Sequence, residues 1–504
     1  MDGGKSVIFV YITSVMNIAG DLLSIAKGEI LEDSWSRQIY SVDASHYEID
    51  PAAIVCPVDE HDVRGICQYS FSKKVPITAR GAGTGLLGQS LSPGIILDFT
   101  KHMNKIIEID NDDVTVQPGV VKGQLDKELK KRNKFLPPDP ASSNFCTIGG
   151  MIADNSSGIH CLGYGSTISF LDEINVVYAD GKLGFASPRK CDDRMKKLGE
   201  LLSRHIQEIK HRYPKVSKNS CGYRLDAVIA NNFNPQKVIA ASEGTLGLMT
   251  SAKLRILEVP AYRSLLVLGF EDLLSAISSV PTILEFSPVA LEMLDHSTLT
   301  SIDYGNKTRS GCLLFVEFTG SRGSSEVEEP LKACKQKISS TCSVVEYASD
   351  EQSVTRIWMA RKNALNSIMK LTIGHRKPIG LIEDTVVRPD ILLEHTTNLL
   401  QIYRENKLDY VIYGHVGDGN MHTRPLINTE SKKEVELMHN IAKRVFADVI
   451  KRGGTITGEH GDGLARTGYI QMMYGKRLTS LFLEVKKLFD PSFRLNPSKK
   501  IPLQ

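Results

Sequence analysis

Nowhere in its 504 residues does the chain contain a Cys-x-x-Cys pair. Its nine cysteines, scattered from Cys56 to Cys342, are odd in number. That argues against a disulfide framework, a zinc ribbon and a cysteine-rich iron–sulfur cluster, and makes a reducing cytoplasm the simplest location. Runs of like charge are also missing, with 61 basic against 58 acidic residues and a net charge of +3. A nucleic-acid footprint or a polybasic membrane arm is therefore not expected. No stretch is apolar enough to span a bilayer. The nearest, "SVIFVYITSVMNIAG", is too short and too polar, and its flank "MDGG" lacks the positive charge of a signal peptide. It reads as a buried helix or strand, or as a lead preceding a translation start at Met16. No internal repeat or low-complexity linker is visible.

What remains is ordinary globular composition, 41% hydrophobic and 24% charged, on a chain too long for one core. Two or three domains are expected. "AAIVCP" reads as a short strand, "DEHDVRGICQYSFSKK" as an acid-capped amphipathic helix, and "VPITAR" as a second strand running into "GAGTGLLGQS". Gly83, Gly85 and Gly88 spell G-x-G-x-x-G, but a dinucleotide fingerprint must open a helix. Here "QSLSPG" and the strand "IILDF" follow, leaving no room for one. Small residues from Gly81 to Gly85 can still aim successive backbone N–H groups at an anion. For this loop alone, a plain glycine-rich turn is an equal reading.

Two further segments matter. "FLPPDPASSNFCTIGGMIADNSSG" (135–158) is too long and too rich in small residues for ordinary connection, and its Gly149–Gly150 pair permits close backbone approach to a flat ligand. "ASEGTLGLMTSAKLRIL" (241–257) is a third small-residue loop leading into a strand. Three such loops suggest an extended cofactor.

In order and spacing, "PITARGAGTGLLGQS", "PPDPASSNFCTIGGMIADNSSG" and "SEGTLG" closely resemble the FAD domain of the vanillyl-alcohol-oxidase/PCMH-type flavoproteins. Within that superfamily the chain resembles the D-lactate dehydrogenase/glycolate oxidase GlcD branch, from about Tyr47 onward. The resemblance implies FAD held at its pyrophosphate by Gly81, Ala82, Gly83, Thr84 and Gly85, with Gln89 and Ser90 nearby. It places Pro140, Ser142, Thr147, Gly149, Gly150, Asn155 and Gly158 along the flavin and ribityl chain, and Glu243 and Gly244 further on. Asn496, in "LNPSK", resembles a C-terminal asparagine that returns toward the flavin. Some relatives attach FAD through a histidine shortly after the Arg-Gly of the first loop; Thr84 stands there, implying non-covalent FAD.

From about Pro260 the pattern changes. "SLLVLGF", "GCLLFVEFTG" and "SVVEY" are strands separated by helical stretches such as "EVEEPLKACKQKI", suggesting an antiparallel sheet with helices on one face. "YVIYGH" ends a strand at His415, and "GDGNMH" is a tight return that can bring His422 beside it. "GTITGEHGDGLAR" adds Glu459 and His460. Two imidazoles and a carboxylate suit a first-row divalent metal with an open position. On spacing alone a His-x6-His pair is more often structural. The resemblance reverses this, implying His415, His422 and Glu459 as ligands, zinc by default, and leaving His460 as base.

The resemblance also implies that Arg361, in "WMARKNA", binds a substrate carboxylate, for which a guanidinium fork is suited. Without the family it would read as a helix-surface arginine. Arg424 departs from relatives that carry asparagine there and agrees better with large flavin/iron–sulfur D-2-hydroxyacid dehydrogenases, as does "HRKPIGLIEDTVVRPDIL". Lys377, from that segment, is a second carboxylate candidate.

The expected fold is α+β. A helical lead-in (1–46) precedes a two-subdomain PCMH-type FAD-binding domain (47–259), a ferredoxin-like antiparallel cap (260–475) and a C-terminal helical return (476–504). The expected activity is oxidation of a D-2-hydroxy acid to its 2-oxo acid, with electrons passing to quinone, cytochrome or a separate iron–sulfur subunit. Peripheral contact with a membrane is compatible with such acceptors. Other readings are a superfamily member using flavin differently, as alkylglycerone-phosphate synthase does, and a flavin-bearing electron-transfer subunit of a larger complex.

Overall fold

The computed structural model describes residues 17–299, 310–369 and 371–502, so most of "SVIFVYITSVMNIAG", Met16 included, lies outside the described residues. Apolar β-branched runs make the first sheet: Ala53–Cys56, Ile95–Asp98 and Ile77–Arg80 pair in parallel and are almost wholly buried. Helix Glu60–Lys73 crosses between the first and third strands of this order, capped by Asp59, whose side chain accepts from the Asp62 N–H. No helix separates Ile77–Arg80 from Ile95–Asp98, as the breaker residues between them dictate. The lead-in is not solely helical. Glu29–Leu31 pairs antiparallel with Ala53–Cys56 and extends this sheet, so this part of the lead-in belongs structurally to the first sheet.

A second, antiparallel sheet of five strands follows in the order Ile106–Ile109, Asp113–Val116, Leu248–Arg255, Leu171–Val177 and Leu183–Ala186. The 135–158 segment also contains more order than its composition suggests. Thr147 caps a helix at Ile148–Asp154, its hydroxyl accepting from the Gly150 N–H at 3.2 Å. The glycine pair thus sits in a helical first turn. A Cβ on Gly149 would lie 2.8 Å from the Pro118 carbonyl oxygen, so packing alone demands glycine there.

The cap is an antiparallel sheet running Ser343–Ala348, Tyr262–Phe270, Cys312–Gly320, Ala290–Asp295, Tyr410–His415 and Asn420–Ile427. Its helices are not confined to one face. Leu266, Leu268, Leu314 and Val316 pack with helices Leu273–Leu284 and Ser325–Ile338, whereas the alternating Leu265, Val267, Leu313 and Phe315 pack with Val354, Ile357 and Trp358 of helix Glu351–Met369. Strands apolar at every position need cover on both sides. The second cover is the helix that carries Arg361. After helix Ile470–Phe489 the chain returns to the first sheet: Leu495 bridges Ile77, and the Asn496 N–H donates to the Ile77 carbonyl at 2.8 Å.

Candidate functional site

A cavity of about 490 Å³ lies between the flavin domain and the cap. One wall is loop 80–86 with Gln89 and Ser90. The next comprises Pro140, Ser142, Thr147, Gly149, Gly150 and Gly158, joined by Glu243 and Gly244. Facing them from the cap are Arg361, Tyr413, His415, His422, Arg424, Glu459 and His460. The backbone amides of residues 81–85 donate to no acceptor within the described residues. Such a run of free N–H groups is a ready anion cradle. A Cβ on Gly244 would meet only the Ala79 Cβ at 3.9 Å, and one on Gly150 only the Thr147 hydroxyl at 3.4 Å, so both positions open onto the cavity. These walls fit an extended phosphate-bearing cofactor.

Three residues expected at the site lie outside its lining. Asn155 holds a left-handed helix end (φ 57°) while its side-chain Oδ1 accepts from the Ile168 N–H at 2.9 Å. Asn496 ties two cofactor loops together, its Nδ2 donating to the Gln89 carbonyl at 2.9 Å and the Glu243 carbonyl at 2.6 Å. Lys377 is exposed, in a two-residue strand paired with Leu426 and Ile427. Glu243 does line the cavity, but its carboxylate accepts from the Asp462 N–H at 2.6 Å and lies 3.1 Å from Lys500 Nζ. It thereby locks a cap loop onto the flavin domain.

The hairpin does bring the two histidines together. Tyr413 pairs with His422 and His415 with Asn420, through a turn whose Gly419 has φ 68°. Its Cβ would fall 1.8 Å from the Val387 carbonyl, so only glycine fits. The imidazole Nε2 atoms of His415 and His422 lie 2.9 and 3.2 Å from the same Glu459 oxygen, Oε1. The other oxygen, Oε2, accepts from Lys218 Nζ at 3.0 Å and from the Ser157 hydroxyl. Each histidine has a carboxylate behind it: His415 Nδ1 is 2.6 Å from Glu292, and His422 Nδ1 is 3.3 Å from Glu383, too poorly aligned for a hydrogen bond. Carboxylates behind imidazoles are the usual second support of a metal ligand. The donor set therefore fits a divalent cation.

Glu383, His422 and His460 also converge, but Glu383 accepts from Arg424 at 3.0 Å and lies 3.5 Å from Arg466. Two guanidiniums on that carboxylate make it a poor cation ligand and a good orienting group. His460 Nδ1 is 2.7 Å from Glu383 Oε1. Burial alone would push Glu383 up, yet Arg424 and His460 hold it well below the usual carboxylate range. Burial likewise opposes protonation of His460, but Glu383 and Asp384 outweigh it and raise it to about 9. Glu459 too is held well below its ordinary value, Lys218 and His415 overcoming burial.

Asp384 organises the loop carrying Glu459 and His460. It sits at φ 70°, wholly buried, and accepts the N–H groups of Gly458, Glu459 and His460 at 3.0, 3.1 and 2.9 Å. Four buried carboxylates, Glu292, Glu383, Asp384 and Glu459, are thus countered by four buried cations, Arg361, Arg424, Arg466 and Lys218, with Arg466 shared between Glu383 and Asp384. Arg361 pairs with Glu292 Oε2 while its Nε, although buried, has no partner. The supporting acids and Lys218 were missed in the sequence. The available signal for the acids was acidic residues inside an apolar run, as in "ALEMLD" (290–295) and "GLIEDTVV" (380–387).

Residues 51–185 match the family described as FAD binding domain, and residues 259–500 match FAD linked oxidases, C-terminal domain. The chain is 30% identical to glycolate oxidase subunit GlcD of Bacillus subtilis over 96% of each protein. It is also 30% identical to D-2-hydroxyglutarate dehydrogenase of Pseudomonas putida, over 94% of this chain and 50% of that protein; the chain spans about half the length of such relatives. Among solved structures, 4-ethylphenol oxidase from Gulosibacter chungangensis superposes with a TM-score of 0.71 at 13% identity, covering 99% of both chains. p-Cresol methylhydroxylase gives 0.67 at 16%, over 100% of this chain and 98% of that one, so the PCMH-type fold is shared. The chain belongs to the GlcD/D-lactate dehydrogenase family of FAD-linked oxidases.

Proposed function

We propose that the chain oxidises a D-2-hydroxy acid to the 2-oxo acid, with FAD as the immediate electron acceptor and a divalent cation, zinc by default, at His415, His422 and Glu459. The observation that carries this reading is the shared cavity, with cofactor-cradling loops on one wall and an imidazole–carboxylate–guanidinium cluster on the other. Relatives named for glycolate, D-lactate and D-2-hydroxyglutarate support the substrate class.

Bound flavin supplies hydride acceptance, and a bound divalent cation supplies Lewis acidity toward a hydroxyl group. The chain's own residues do the rest. Arg361 offers its unpartnered Nε, with its charge, to the substrate carboxylate. His460, held by Glu383, takes the hydroxyl proton on Nε2. Its protonated state is favoured by three carboxylates, Glu383, Asp384 and Glu459; a cation held by Glu459 would offset one of them and favour the neutral ring. Glu292 and Glu383 keep the imidazoles oriented. The onward acceptor in this reading is not NAD: loop 81–85, which joins strand to strand rather than opening a Rossmann helix, is already assigned to the FAD pyrophosphate. A panel of D- and L-2-hydroxy acids, monitored by anaerobic flavin bleaching, tests the assignment: no bleaching by any D-acid would overturn it.

Two further outcomes follow from the same reading. Acid or heat should release all flavin into the supernatant, because Thr84 stands where a linking histidine would be; flavin retained in the precipitate would refute non-covalent binding. Arg361→Ala should raise KM with little change in kcat, by roughly 2–5 kcal/mol of lost charge pairing. A fall confined to kcat would remove Arg361 from carboxylate binding.

A further inference from the structure

Behind the cavity wall, His160 stands between two carboxylates from different domains. Its Nδ1 is 2.7 Å from Asp139 Oδ2 and its Nε2 is 2.8 Å from Glu317 Oε2. Asp139 belongs to the 135–158 segment, whereas Glu317 lies in cap strand Cys312–Gly320. Glu317 also accepts from Arg263 Nε at 2.7 Å and from the Trp358 indole at 2.7 Å, and Arg263 continues to Glu351 at 3.2 Å. Both ring nitrogens of His160 face acceptors, so the bridge needs a proton on each.

Burial works against that cation, but Asp139 and Glu317 outweigh it and push His160 up to about 10. Glu317 is held down to about 2, where His160 and Arg263 overcome burial. The other charged groups facing the cluster are Lys362, acting on Asp139, and Glu351. Tyr164, whose ring centroid lies 6.5 Å from that of His160, pairs its hydroxyl with Thr319.

The bridge joins what the cavity separates. Pro140, Gly158 and Ile159, next to Asp139 and His160 in the chain, line one side; Met359, Arg361 and Lys362 line the other. Trp358 and Arg361 are three residues apart on one helix and so share a face. His160, Asp139, Glu317 and Trp358 themselves do not line the cavity.

We propose that His160 is a positioning residue: as a cationic strut from Asp139 to Glu317 it sets the spacing between the 139–160 loop and the Arg361 helix, and thereby substrate affinity. The effect on affinity rests on the reading of Arg361 as the carboxylate anchor; the strut itself does not.

The test uses FAD-loaded full chain and His160→Gln, whose amide can bond but carries no charge, leaving Asp139 and Glu317 to repel. Stopped-flow bleaching by a D-2-hydroxy acid should show a dissociation constant raised about tenfold and a limiting rate within about threefold of wild type, with FAD content unchanged. In His160→Gln/Asp139→Asn, where one repelling charge is gone, part of the affinity should return. Unchanged affinity, or a limiting rate falling in step with it, would overturn the positioning role.

Thermal melts provide an arm independent of substrate. The folded pKa of His160 lies above the unfolded value of about 6.5, so its contribution is complete below pH 6.5 and lost as pH rises through 10. The Tm gap between wild type and His160→Gln should therefore be full at pH 6 and fade toward pH 10. A gap independent of pH would overturn the cationic strut. Wild-type flavin that no hydroxy acid bleaches, with the pH-dependent Tm gap intact, would instead overturn the proposed function and the affinity role while sustaining the strut.

Discussion

His422→Ala should abolish turnover, by more than about 10³-fold, and leave FAD bound. The size follows from the several kcal/mol that a Lewis acid contributes to stabilising developing charge. The selectivity follows from location: His422 lies on cap strand Asn420–Ile427, remote in sequence from the loops at 81–85, 140–158 and 243–244. The substitution should also be structurally tolerable, because Glu383 keeps Arg424 at 3.0 Å and His460 at 2.7 Å and is not stranded as an unpaired buried charge. His415→Ala should behave alike, with Arg361 still paired to Glu292. Elemental analysis beside the flavin absorbance checks both variants. Stoichiometric metal remaining in each, with activity intact, would make the histidines structural members of a hairpin.

His460→Ala should slow flavin reduction by about 10²–10⁴-fold, the usual contribution of a positioned base, with substrate binding nearly unchanged. The ring occupies a specific posture: Nδ1 held by Glu383 at 2.7 Å, and Nε2 3.8 Å from Glu459 Oε1 on the cavity side. Removing it takes away the proton acceptor but none of the groups assigned to the carboxylate. Raising the pH should restore part of the rate, since hydroxide in solution can then replace the missing base. Stopped-flow spectra across pH measure the limiting rate and its recovery. Reduction at the wild-type rate would show that the proton leaves by another group.

How far these residues could be read beforehand depended on whether the information was local. Strand Ala53–Cys56, the helix at Glu60–Lys73 and the hairpin from His415 to His422 follow from short-range period, capping and glycine position, and the structure contains all three. The Gly149–Gly150 pair misled because two glycines suggest loop, whereas Thr147 capping and tight packing on Pro118 make them a helical turn. Glu292 and Glu383 were illegible for a different reason. A buried acid is visible as a charge within an apolar run, but its partner is not. Glu292 meets His415 because strand Ala290–Asp295 pairs Met293 with Gly414, a register set by the whole sheet. The position of helix Glu351–Met369 on the second face likewise depends on both sides of the cap strands Tyr262–Phe270 and Cys312–Gly320 being apolar, which local pattern suggests only once the sheet is assembled.

The return of residues 494–500 to the first sheet has a consequence for the order of folding. Thr78 donates to Asn496 across 418 residues of chain, and Asn496 in turn joins the Gln89 and Glu243 loops. Lys500, a few residues on, joins Ser220, Asp462 and Glu243. Contacts of such sequence separation form late, because closure of long loops must precede them. The early strands can therefore pair while the cofactor loops are still untied, and a firmly clamped flavin is a product of the last stage of folding rather than its nucleus.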